Sequence, residues 1–101
     1  MIDRGTTPTI QYNFKVIDPA RIVSAYLTLK QDGVLTIEKD LTEATIGENF
    51  IFWVLSQEET LSLTERIQVE YECRYKLDDG CACKTKKTSE QVGPVLKDGV
   101  I

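Results

Sequence analysis

The chain has 101 residues, 42% hydrophobic and 28% charged, with a formal charge of −4, three cysteines and no histidine. Such a length makes one domain, residues 1–101, able to fold without metal or disulfide support. The acidic balance argues against nucleic acid as a partner, which would need a basic field. No apolar run approaches the roughly 20 residues of a membrane-spanning helix. Met1-Ile2-Asp3-Arg4-Gly5 lacks the basic-then-apolar order of a secretory signal, and no Asn-x-Ser/Thr acceptor is present. With an odd number of cysteines, these features point to a reducing compartment and residence in the cytoplasm.

Gly5 and Pro8 keep the opening segment out of any element interior. From Ile10 the pattern alternates: Ile10, Tyr12, Phe14 and Val16 against Gln11, Asn13 and Lys15, which predicts a half-buried strand. Asp18-Pro19 breaks it, and Pro19-Ala20-Arg21 suits one helical turn. Val23, Ala25, Leu27 and Leu29 then alternate with Ser24, Tyr26, Thr28 and Lys30 as a second strand. Gln31-Asp32-Gly33 signals a hairpin, with Val34 to Lys39 returning as the third strand.

Leu41 to Ile46 is a weaker extended segment, and Gly47-Glu48-Asn49 turns into Phe50-Ile51-Phe52-Trp53-Val54-Leu55. This run of six apolar residues holds two of the three phenylalanines and the only tryptophan. A strand apolar on both sides must be covered on both sides. If one side meets the core, the other needs a flap of the same chain or a neighbouring subunit. Large apolar groups on an outer face mark contact surfaces, and the expectation is that Ile51, Trp53 and Leu55 form such a surface.

Ser56 and Glu59 fit a capping box opening a helix of about one turn. Ile67 to Leu77 is the longest clean strand, with Ile67, Val69, Tyr71, Cys73, Tyr75 and Leu77 on one side. Asp78-Asp79-Gly80 reads as a three-residue loop with glycine in the left-handed position. That loop pairs Leu77 with Cys81, Tyr75 with Cys83, Cys73 with Thr85, Arg74 with Lys84 and Glu72 with Lys86. A two-residue loop would slip the register and set the cysteines opposite charged partners. Val92-Gly93-Pro94-Val95-Leu96 suits an extended edge segment, since Pro94 cannot donate to a ladder. Six to seven short strands separated by turn signals predict an antiparallel immunoglobulin-like β-sandwich, with a partly open barrel as the other architecture.

The chemistry-bearing residues point away from catalysis. Without histidine the usual general base and the commonest metal ligand are missing. Cys73, Cys81 and Cys83 have neither zinc spacing nor, with Cys73 held opposite Thr85, a common focus; they read as reduced thiols in or beside the core. Lys84 and Lys86 point away from them and cannot activate a nucleophile. The acids Glu38, Asp40, Glu43, Glu58, Glu59, Asp78 and Asp79 fall in turns and suggest no calcium loop or glycosidase pair. Lys84-Thr85-Lys86-Lys87 reads as a solvated edge that discourages stray strand pairing, or as a contact for an acidic partner. No catalytic, cofactor or metal residues are expected.

Three stretches carry a resemblance: Arg4-Gly5-Thr6-Thr7-Pro8-Thr9, Leu55-Ser56-Gln57-Glu58-Glu59-Thr60-Leu61 and Leu96-Lys97-Asp98-Gly99-Val100-Ile101. In this order, over nearly the whole chain, they resemble a family of small proteins encoded in phage and prophage regions of gut Gram-positive bacteria. Members carry Thr where Ser56 stands here, and either hydroxyl can cap. The cysteines lie outside the signature. The pattern and size are also similar to β-sandwich modules at the N-terminal end of phage baseplate proteins. The resemblance implies a non-enzymatic structural or assembly protein acting through protein–protein contacts. Its partners would be further copies or other phage structural proteins, and its location the host cytoplasm during assembly, or the virion. The reading from another class is a carbohydrate or small-ligand module using Tyr12, Tyr26 and Trp53 as a stacking platform.

Overall fold

The computed structural model describes residues 1–101. Along the chain lie Ile2–Asp3 (β1), Thr9–Asn13 (β2), a 3-10 turn at Pro19–Arg21, Ile22–Gln31 (β3) and Val34–Asp40 (β4). A second 3-10 turn at Leu41–Glu43 leads to Thr45–Ile46 (β5) and Phe50–Val54 (β6), then the helix Gln57–Leu61 (α1). Val69–Leu77 (β7), Ala82–Lys84 (β8), Thr88–Glu90 (β9) and Val92–Gly93 (β10) complete the chain. The larger sheet runs β4-β3-β7, with β8 and β9 both on the far side of β7; the smaller runs β2-β6-β5. All pairs in these two sheets are antiparallel, and β1 with β10 forms a separate parallel pair. Both 3-10 turns and α1 are crossings between the two sheets, so the fold is an antiparallel all-β sandwich.

Its core joins Ala25, Leu27 and Leu29 of β3 and Val69, Tyr71, Cys73 and Leu77 of β7 to Ile10 of β2 and Ile51 and Trp53 of β6. Leu55 and Leu63, on either side of α1, close one end. The two buried polar residues, Gln31 and Thr60, are matched. Gln31 donates through Nε2 to the carbonyls of Thr64 (2.8 Å) and Ile67 (2.9 Å) and accepts from Thr64 N–H at 2.8 Å. Thr60 donates to the Thr6 carbonyl and accepts from Gly5 N–H, tying α1 to the N-terminal segment. Left unpaired, each such group would cost about 1–3 kcal/mol.

The turns follow their residue chemistry. Asp32 (φ 50°) and Gly33 (φ 74°) are both left-handed, as a two-residue hairpin closed by Gln31 and Val34 requires. At the other hairpin Gly80 adopts φ +87°, Leu77 N–H reaches the Cys81 carbonyl at 2.9 Å, and Tyr75 pairs with Cys83. The three-residue loop and the register as far as Arg74 with Lys84 are thus as expected. Ser56 and Glu59 form the capping box, and a second one joins Asp40 and Glu43.

Three local expectations shift. The strand expected over Ile10 to Val16 ends at Asn13, because its partner β6 ends at Phe50 opposite it. Phe14 keeps one bond, to the Asn49 carbonyl, and Val16 lies 95% exposed. At the start of β3 a bulge between Ile22 and Ser24 resets the alternation, so Ile22 and Ala25 face inward while Val23 is exposed. A further irregularity between β8 and β9 shifts the pairing from Arg74–Lys84 to Tyr71–Thr88. The expected opposition of Glu72 and Lys86 therefore gives way to ion pairs of Glu72 with Lys84 (3.3 Å) and Glu70 with Lys87 (3.1 Å). Val92–Gly93 is a buried parallel partner of β1, and Pro94 stands just past its end. A Cβ on Gly93 would lie 2.1 Å from Asp3 Oδ1 and 2.9 Å from Met1 Sδ, so a larger residue there displaces those two side chains.

Candidate functional site

The strand β6 sits in the middle of the smaller sheet, and pairing with β2 decides which way its side chains point. Ile10 opposes Trp53 and Tyr12 opposes Ile51; Thr9, Gln11 and Asn13 oppose Val54, Phe52 and Phe50. Since Ile10 faces the core, Ile51 and Trp53 must as well, and Leu55 follows them. All three have no exposed surface. The expected contact surface of Ile51, Trp53 and Leu55 is therefore corrected: these residues are core. The indole N–H of Trp53 donates to the Asp40 carbonyl at 2.9 Å, satisfying the one polar atom the ring carries.

The other side of the same strand remains partly open. Phe50 and Phe52 are half-buried and stacked on one another at 5.9 Å, Phe50 lies flat on Gly47, and Val54 is 46% exposed. Their cross-strand neighbours on this face, Thr9, Gln11 and Asn13, are polar and exposed, and Gln11 donates to Asn13 at 2.9 Å. An apolar stripe bordered by amides thus runs along the outer face of the smaller sheet.

The outer face of the larger sheet is polar. Tyr26, 48% exposed, lies across the ladder from Arg74, and Arg74 across from Lys84. Glu72 and Glu70 are taken by Lys84 and Lys87, which leaves the Arg74 guanidinium without an ion-pair partner. Tyr26, Arg74, Ser24, Thr28, Glu38 and Lys76 border an open groove of about 280 Å³. Of the three aromatic residues expected as a stacking platform, only Tyr26 is on this face. Trp53 is sealed in the core, and the Tyr12 hydroxyl is buried without a hydrogen bond, its pKa pushed up to about 12 by burial. Three coplanar aromatic faces are not available.

The cysteines divide as their register requires. Cys73 is wholly buried, its thiol pushed up to about 12 by loss of water, and its N–H donates to the Thr85 hydroxyl. Cys81 is exposed and Cys83 half-buried, and their sulfurs lie 3.7 Å apart. The acids hold turns together. Asp40 and Glu43 cap the second 3-10 turn, and Arg21 bridges Asp78 (3.1 Å) and Asp79 (3.2 Å). Burial alone would raise Glu59, but the Ser56 N–H and the Lys39 ammonium at 2.9 Å outweigh it and hold the carboxyl below its ordinary value.

A closure between the chain ends had no signal in the residue pattern. The N-terminal amine of Met1 pairs with Glu90 at 2.9 Å, Glu90 also accepts from the Tyr71 hydroxyl, and β1 lies along β10 beside them. No helix is long and apolar enough to cross a membrane. Comparison with protein families, with curated proteins and with solved structures finds no match for this chain.

Proposed function

We propose that this chain is a non-enzymatic β-sandwich module that works through protein–protein contacts, as a structural or assembly component of a phage or prophage particle. The resemblance of its opening, middle and closing motifs to small phage-encoded proteins supplies the setting. The carrying observation is the outer stripe of β6: stacked Phe50 and Phe52 with Val54 on a central strand, half-covered and bordered by Gln11 and Asn13. Apolar centres with polar rims are the anatomy of a subunit contact. The partner is a further copy of the chain or another particle protein, engaged in the host cytoplasm during assembly or within the virion. Phe52→Asp tests this face. Its expected result is a shift from dimer or larger species to monomer in sedimentation, with an unchanged circular dichroism spectrum. A parent that sediments as a monomer at its highest soluble concentration, and joins no co-expressed particle protein, would remove the reading.

A second reading rests on the groove beside Tyr26, where an unpaired Arg74 could take a carboxylate or a sugar hydroxyl while the ring packs on an apolar face. Because Trp53 is sealed, its fluorescence is a poor reporter for this face. Glycan-array binding that is lost in both Tyr26→Ala and Arg74→Ala would favour the ligand module instead.

A further inference from the structure

The hairpin joining β7 to β8 holds two thiols at a fixed separation. Cys83 is fixed by pairing with Tyr75, and Cys81 by its carbonyl, which accepts from Leu77 N–H at 2.9 Å, and by its N–H, which donates to Asp79 Oδ1 at 2.9 Å. Gly80 N–H closes the turn on the Leu77 carbonyl, and Arg21 clamps both aspartates of the loop from outside. The two sulfurs therefore sit side by side on a braced turn, 3.7 Å apart, with Cys81 open to solvent.

That distance selects among ligands. Two thiolates bound to one tetrahedral zinc-type ion, each at about 2.3 Å, stand about 3.8 Å apart. A linear two-coordinate ion would need them separated by twice the bond length. Hard cations such as magnesium and calcium favour oxygen over sulfur, whereas thiolates select soft ones.

We propose that Cys81 and Cys83 form a two-thiolate site for a thiophilic, tetrahedral divalent cation of the zinc and cadmium class. Binding replaces two S–H bonds by two metal–sulfur bonds and releases two protons, with no change of oxidation state. No third cysteine, histidine or acid completes a set of three with the pair. Two of the four positions on the ion thus stay open, to water or to the same two thiols of a second copy. Cys73 has no part: it belongs to the core, on the strand opposite Thr85. Asp79, which accepts from Cys81 N–H and is paired with Arg21, adds negative charge beside the two thiolates, which favours a divalent over a monovalent guest.

The site is independent of the contact face on β6, and the test reads it directly. The reduced full-length chain is titrated with Cd²⁺ and followed by the ultraviolet thiolate-to-cadmium charge-transfer band. The expected result is a band that saturates and is lost in both Cys81→Ser and Cys83→Ser. Saturation at one ion per chain means water in the open positions. Saturation at one ion per two chains, with a cadmium-dependent dimer in sedimentation, means shared thiols; either supports the site. A parent without the band, or a band undiminished in Cys81→Ser, overturns it.

Discussion

Trp53 is the largest fully buried side chain, and its indole N–H is spent on the Asp40 carbonyl. Trp53→Ala should therefore lower stability by about 3–5 kcal/mol, read as a shift of the denaturant midpoint. One residue away, Phe52→Ser on the outer side should cost far less and leave the far-ultraviolet spectrum unchanged. The contrast between adjacent positions is a direct check on which side of β6 faces inward. Thiol chemistry gives a second residue-scale expectation. Reactivity follows thiolate character and exposure, so a colorimetric disulfide reagent should reach exposed Cys81 and half-buried Cys83 in the folded protein, Cys81 more slowly than a free thiol because the Cys83 thiol beside it raises its pKa. Cys73, buried and with its pKa raised, should react only on unfolding. Fast reaction of all three would place Cys73 outside the core.

Among the elements, the caps and turns follow most closely from local sequence. Ser56 accepts from Glu59 N–H while Glu59 accepts from Ser56 N–H, so the five-residue α1 depends on its cap more than on propensity. Ser56→Ala should destabilise by about 1 kcal/mol, measured by thermal or urea unfolding. Gly80 at φ +87° has open space where a Cβ would go, so Gly80→Ala carries only the left-handed backbone penalty, about 1–2 kcal/mol. A larger loss would mean the hairpin register, and with it the separation of Cys81 and Cys83, depends on this glycine in some further way. Elements whose ends depend on a partner were harder to read. The strand from Ile10 stops at Asn13 because β6 supplies no residue before Phe50, and nothing within residues 10–16 announces that.

For the whole molecule, stability should fall on both sides of neutrality, for reasons fixed by where ionisable groups lie. Glu90, Glu59 and Asp79 all titrate below their ordinary values. In Glu90, burial works upward but is outweighed by the Tyr71 hydroxyl and the N-terminal amine. Groups with lowered folded pKa contribute fully above the ordinary carboxyl value, about 4, and lose that contribution as pH falls through the folded value. On the alkaline side the signs reverse. Cys73, Tyr12 and Tyr71 all have raised values from burial, so their contribution is intact below about 8.5 for the thiol and about 10 for the phenols and drains away above them. Unfolding curves across pH should show a plateau between these limits. Glu90→Gln should flatten the acid limb by releasing the chain-end closure; an unchanged limb would mean that closure adds nothing.

Some of this was settled by sequence without help from the fold. Strict alternation in β7, and in β3 beyond the bulge at Ile22–Ser24, names their inward residues, and the Asp-Gly and Asp-Asp-Gly turns set the registers beside them. Ser56 with Glu59 announces a cap, because each of these depends on neighbours within a few residues. Alternation is silent where both sides of a strand are apolar, and Phe50 to Leu55 is such a stretch. Its two orientations differ by a one-residue slip that exchanges every side chain between faces. The choice was made by pairing with β2, forty residues earlier in the chain, whose own alternation admits one inward face. The same long-range placement brings Met1 to Glu90 and leaves Arg74 unpaired beside Tyr26. Tertiary structure alone could decide these, since each depends on which distant segment occupies the neighbouring lane of a sheet.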